Sequence, residues 1–84
     1  MAYIVQFKPA ALRNLERLPT DIQLRIARAI DALAQDPFPS GSKKLRGLDA
    51  HRIRIGEYRA VYQVHARQLL VLIIRVGHRR EVYR

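Results

Sequence analysis

The chain has 84 residues, a formal net charge of +9 and no cysteine, which bounds it to a single domain, 1–84, with one modest core. The absence of cysteine excludes a disulfide scaffold, a thiolate nucleophile and a cysteine-based zinc site. No stretch is apolar for long enough to span a bilayer, and the opening MAYIVQFKPA lacks the pattern of a signal peptide, so a cytoplasmic protein is expected.

AYIVQF (2–7) alternates Tyr3, Val5 and Phe7 with Ile4 and Gln6, the period of a strand. Pro9 suits the first turn of a helix running through Leu18, with Leu12, Leu15 and Leu18 on one side and Pro19 as its stop. Thr20 followed by Gln23 reads as a capping box that opens a second helix to about Gln35. Its apolar stripe is Ile22, Ile26, Ile30 and Leu33, and its polar side holds Arg25, Arg28, Asp31 and Gln35. The short connection at PT makes the two helices an antiparallel hairpin. DPFPSGSKKLRG (36–47) reads as a loop.

Beyond the loop the period changes to two. HRIRI is a strand, GE (56–57) suits a two-residue turn with glycine first, and YRAVYQVH is the return strand. After a turn near ARQ comes LLVLIIRV (69–76), apolar on both faces and therefore central in the sheet. The fold class is α+β: an N-terminal strand, a helical hairpin, then a three- to four-strand antiparallel meander, with both helices on one sheet face.

Charge is unevenly placed. Residues 1–42 carry five Lys and Arg against four Asp and Glu, whereas residues 43–84 carry eleven against three. Segregated charge of this kind, mostly arginine, points to a polyanionic partner, nucleic acid before a membrane surface or an acidic protein. Strand alternation then gives the cations an address. If Ile53 and Ile55 face the core, Arg52 and Arg54 face away. Tyr58, Ala60, Tyr62 and Val64 facing inward leave Arg59 outside. Leu70, Leu72, Ile74 and Val76 facing inward leave Arg75 outside. Arg79 and Arg80 follow at the exit of the last strand, and Lys43, Lys44 and Arg46 add cations from the loop. Arginine suits such a face, because its planar fork gives a phosphate two parallel hydrogen bonds and stays charged.

Other chemistries fit poorly. His51, His65 and His78 have no metal-ligand spacing, Ser40 and Ser42 belong to a turn-rich loop, and Asp49, Glu57 and Glu81 form no acid–base pair. No metal and no cofactor is expected. RNA cleavage remains open to an arginine face, since the substrate supplies its own nucleophile in the 2′-OH. Proton transfer is the weak point. Tyrosine titrates near pH 10 and arginine higher still, so on this rim only His78 has a reference value near neutrality. Tyr83, beyond the last strand, is placed for stacking or for proton chemistry.

KLRGLDAHRIRIGEYRAVYQV followed by LIIRVGHRREVY resembles the RelE/ParE superfamily of toxins from bacterial and archaeal toxin–antitoxin pairs, most nearly its RelE branch of ribosome-dependent mRNA interferases. The likeness covers nearly the whole chain. It implies a RelE-like fold, cleavage of mRNA in the ribosomal A site, and a product ending in a 2′,3′-cyclic or 3′-phosphate. It further implies that Arg59 binds the scissile phosphate, that Arg79 stabilises the transition state or leaving group, and that Tyr83 orients or deprotonates the 2′-OH. RNA binding would fall to Arg52, Arg54, Arg75, Arg80, Lys43, Lys44 and Arg46. Arg52 and Arg54 stand where the best-known RelE has lysines, one of them a candidate base. An arginine does not readily give up its proton, so base duty passes to Tyr83, to His78 or to no residue in particular. The implied partners are a short, amphipathic, RelB-like antitoxin in a hetero-oligomer, and the ribosome with its mRNA. Many members continue past the tyrosine into a helix that the antitoxin displaces; here only Arg84 follows, which speaks against that route. The alternative reading is a ParE-type poison of DNA gyrase without nuclease activity, although such proteins commonly lack the Arg59, Arg79 and Tyr83 set.

Overall fold

The computed structural model describes residues 2–78. In chain order it contains β1 (Ile4–Phe7), α1 (Pro9–Glu16), α2 (Thr20–Ala32), β2 (Lys43–Lys44), β3 (His51–Ile55), β4 (Tyr58–His65), a 3₁₀ turn (Ala66–Gln68) and β5 (Leu70–His78). The sheet runs β1-β5-β4-β3-β2. The expected meander is β3-β4-β5, antiparallel throughout, while β1 lies parallel to β5. β5 is thus flanked on both sides, as its apolar run requires. The short strand β2 falls inside the segment read as a loop; two lysines in a row carry no alternation that would betray a strand.

Pro9 opens α1 as expected. That helix ends at Glu16, short of the expected Leu18, and its inner side is Ala11, Leu15 and Leu18 rather than the Leu12 side, since Leu12 is 45% exposed. Spacings of three and four residues share a helix face, and Leu12 sits a quarter-turn away from Ala11. The expected capping box does not form. Pro19 occupies the cap position and Thr20 is already helical, so the Gln23 N–H donates to the Pro19 carbonyl at 2.9 Å. The Gln23 side chain turns back instead and donates to the carbonyls of Leu18 (2.7 Å) and Glu16 (3.2 Å), serving the open end of α1. The last turn of α2 stops at Ala32, and the Ala34 carbonyl just beyond accepts the Tyr3 N–H at 2.7 Å, pinning the helix end to the start of β1.

The core lies between the helices and one sheet face. Ala11, Ile26, Ile30 and Leu33 meet Ile53, Ala60, Tyr62, Val71, Ile73 and Val76, all buried. Ile22 joins at the edge, so the α2 stripe packs as read. One expectation fails in β5. Val61 pairs with Arg75 and Tyr62 pairs with Ile73, which leaves Ile74 as an extra residue in a bulge. Before the bulge, Val71 and Ile73 point into the core, where Leu70, Leu72 and Ile74 had been expected. After it, Val76 points inward and Arg75 outward as expected.

Candidate functional site

The β3–β4 hairpin aims the cations. Its turn needs a positive φ at the first central position, and Gly56 supplies φ +61°. A methyl group added there would meet the Arg25 guanidinium at 3.1 Å, so the position is constrained by space as well. With the turn fixed, Arg54 stands directly opposite Arg59, and Arg52 directly opposite both Lys43 and Val61. Directly opposed side chains share a face, here the one that carries no helices. Two like-charge cross-strand pairs lie side by side, an arrangement that works against sheet stability. Lys43, Lys44, Arg46, Arg52, Arg54 and Arg59 line one groove of about 630 Å³, with Leu45 and Gly47 completing its wall.

The six cations are not equivalent. Arg54 is exposed and Arg59 half-buried, but Arg52 is only 7% exposed. One guanidinium nitrogen of Arg52 donates to the Gly41 carbonyl at 3.0 Å. The segment preceding β2 is held to the sheet at further points. The Tyr62 hydroxyl donates to the Pro37 carbonyl at 2.7 Å, and His51 packs between Phe38 (ring centroids 5.0 Å apart) and Tyr62 (5.8 Å, stacked). Burial, with Asp36 adding to it, raises the Tyr62 pKa above its ordinary value and keeps the hydroxyl a donor. The lysines of β2 are thereby presented by an anchored segment.

Part of the helix-free face is apolar. Ala50 and Val61 are buried under Leu45 and Ile74, and an apolar depression of about 510 Å³ runs over them, edged by Lys8, Asp49, Gln63 and Arg75. Arg75 is exposed on the expected face but lines this depression rather than the basic groove. The apolar patch was missed in the sequence. Its signal was there in Val61, apolar between two inward-facing residues, and in the leucines of KKLRGLDA.

His78 departs from the expected rim of cations. It pairs with Tyr58 and meets that ring edge-on at 5.8 Å, and Tyr58 packs against the helix-side core. Arg59 pairs instead with Gly77. The imidazole therefore belongs to the face opposite the groove, because neighbours along a strand alternate sides. Arg79, Arg80 and Tyr83 lie outside the described residues. Among the described residues no three His, Asp or Glu side chains gather as metal ligands would, and no helix is long and apolar enough to cross a membrane.

Residues 5–83 match the family model described as the ParE toxin of the type II toxin–antitoxin system parDE. The chain is 34% identical to Toxin RelG of Mycobacterium tuberculosis over 100% of its own length and 99% of that protein's. It is 32% identical to the mRNA interferase toxin RelE of Escherichia coli K12, covering 99% of this chain and 92% of the other. Among solved structures, it superposes on a chain of the toxin–antitoxin complex RelBE2 from M. tuberculosis with a TM-score of 0.85 at 30% identity, over 94% of this chain and 100% of that one.

Proposed function

The chain belongs to the ParE/RelE family of toxins from type II toxin–antitoxin systems, and from that premise we propose that it is an mRNA endoribonuclease of the RelE kind, acting on mRNA held by the ribosome. The observation that carries the reading is the pairing of Arg54 with Arg59 beside Lys43 with Arg52 on the helix-free face. Like charges set opposite one another weaken the sheet; a bound polyanion offsets that repulsion with charge-assisted hydrogen bonds to both cations.

In the proposed reaction the substrate's 2′-hydroxyl gives up its proton and its oxygen bonds to the adjacent phosphorus. The bond from phosphorus to the 5′-oxygen breaks, and that oxygen takes a proton. The products are a 2′,3′-cyclic phosphate and a 5′-hydroxyl end. Arg59 holds the scissile phosphate, and Arg54 faces the same charge from across the strand pair. Arg79 neutralises the transition state and Tyr83 orients or deprotonates the 2′-hydroxyl; both roles rest on the family likeness. His78 drops out as a base, since its ring lies with Tyr58 on the other face. Neither arginine is a ready base at neutral pH, so alignment of the RNA by the ribosome is what makes the reaction fast. That substrate places the protein in the cytoplasm. Its partner is a RelB-like antitoxin, as in the complexes of its structural relatives.

Induced expression followed by mapping of mRNA 5′ ends on ribosomes tests the reading. New ends within translated codons are expected, and none with Arg59→Ala, which should lose about a hundredfold in rate. DNA breaks with intact mRNA would instead identify a gyrase poison.

A further inference from the structure

The tip of the β3–β4 hairpin is the least supported part of the basic face. β2 pairs only with His51 and Arg52, so among the described residues Arg54 and Ile55 have a neighbouring strand on one side alone. Ile55 and Tyr58 pack against the core as half-buried residues, but Gly56 and Glu57 beyond them are exposed. One pair inward from Ile55 and Tyr58, Arg54 opposes Arg59, and like charges directly opposed work to open a hairpin. Arg25 of α2 reaches this tip. It follows Ile22 by three residues, at the margin of the helix's buried stripe, from which a long side chain can run out over apolar surface. A Cβ built at Gly56 would lie 3.1 Å from Arg25 Nη2 and 3.8 Å from both Cζ and Nη1. The guanidinium thus closes off the space into which a side chain at the turn would point. Glycine stands there for its φ of +61°, and Arg25 covers what glycine leaves bare. Arginine suits the task, since its guanidinium is more weakly hydrated than an ammonium and packs where a lysine would stay in water.

We propose that Arg25 is a positioning residue for the cleavage reaction: it braces the β3–β4 turn from α2 and so keeps Arg54 and Arg59 in register against their mutual repulsion. The role in catalysis rests on the mRNA-cleaving reading given above, whereas the brace is a property of the free protein. Arg25 is not among the residues lining the basic groove, so its effect on the chemistry runs through Gly56, two residues from Arg54 and three from Arg59. A loosened tip lets the opposed arginines splay. A misplacement of about 1 Å at a reacting group can cost on the order of a hundredfold in rate.

Native-state hydrogen exchange and single-turnover cleavage of ribosome-bound mRNA test this on wild type, Arg25→Ala and Arg25→Lys. Arg25 is exposed on α2 and alanine is the better helix former there, so Arg25→Ala should fold with an unchanged urea midpoint. Its amides at residues 54–59 should exchange at least tenfold faster than in wild type, with those of Tyr62 and Val71 unaltered. Its cleavage rate at saturation should fall at least tenfold while the half-saturating concentration stays within twofold, the pattern of a misplaced reacting group. Arg25→Lys keeps the net charge and should recover less than half of either loss. Wild-type exchange at residues 54–59 in Arg25→Ala overturns the brace, whether or not the protein cleaves RNA. Exchange that rises equally across β3, β4 and β5 overturns it as well, since Arg25 would then stabilise the fold at large. A loosened tip with undiminished cleavage overturns the positioning role. Full recovery by Arg25→Lys, or a loss confined to the half-saturating concentration, overturns it too, because charge would then be what acts. A wild type that cleaves no mRNA removes the function proposed above and with it the role in catalysis, and exchange then judges the brace by itself.

Discussion

On the helix-covered side of the sheet, Ile53, Ala60, Tyr62, Val71, Ile73 and Val76 close on Ala11, Ile26, Ile30 and Leu33 with no charged side chain among them. On the other side of the same strands, Arg54 opposes Arg59 and Lys43 opposes Arg52. The first surface gains from every contact it makes. The second sets like charges against each other and buries a guanidinium beside them. The larger core lies on one side of the sheet, while the other side, apart from the small cluster of Ala50 and Val61, spends stability on holding charges ready for a polyanion. The two roles should therefore separate under mutation.

The strongest expected effect is on the covered side. Ile30→Ala should lower unfolding free energy by about 4 kcal/mol, because the side chain is fully buried and its neighbours cannot collapse into the space; denaturant titration measures this. Tyr62→Phe keeps the ring but leaves the Pro37 carbonyl without its donor, at a loss of about 1–2 kcal/mol. This variant also carries a pH signature. The folded pKa of Tyr62 is raised, so its contribution is complete below the unfolded value near 10 and is lost as pH rises through the folded value. The stability gap between wild type and Tyr62→Phe should narrow above about pH 10.

Tyr83→Phe sharpens the comparison from the chemical side. If the hydroxyl serves the 2′-OH, single-turnover cleavage of ribosome-bound mRNA should slow at least tenfold, about 1.4 kcal/mol, with binding little changed. The smallest effect belongs to His51, whose Nδ1 is buried without a hydrogen-bond partner among the described residues. His51→Phe removes that orphan while keeping a ring between Phe38 and Tyr62. It should stay within about 1 kcal/mol of wild type, leaning towards greater stability.

How far the sequence carried these roles depended on alternation. HRIRI and YRAVYQVH alternate cleanly enough to fix which residues face inward, and the register bears them out at Ile53, Ala60, Tyr62 and Arg59. LLVLIIRV has no polar residue before Arg75, so nothing in it marked the bulge at Ile74 that reverses the facing of its first half. The capping box failed for a related reason. Thr20 and Gln23 have the right spacing, but the chain enters the helix one residue earlier, at Pro19. For the site, the strand arginines were legible and their unequal burial was not. That Arg52 is nearly enclosed depends on how Gly41 and β2 fold over it, a contact eleven residues distant along the chain.

The separation of the two faces is tested most directly by Arg54→Ala/Arg59→Ala, with urea unfolding and cleavage of ribosome-bound mRNA measured on the same preparation. Removing one of the opposed pairs should leave unfolding free energy within about 0.5 kcal/mol of wild type, or raise it, since these side chains lie outside the core. Cleavage should fall by more than a hundredfold. A stable double variant that cleaves at the wild-type rate would contradict the account, because the opposed arginines would then have no part in the chemistry.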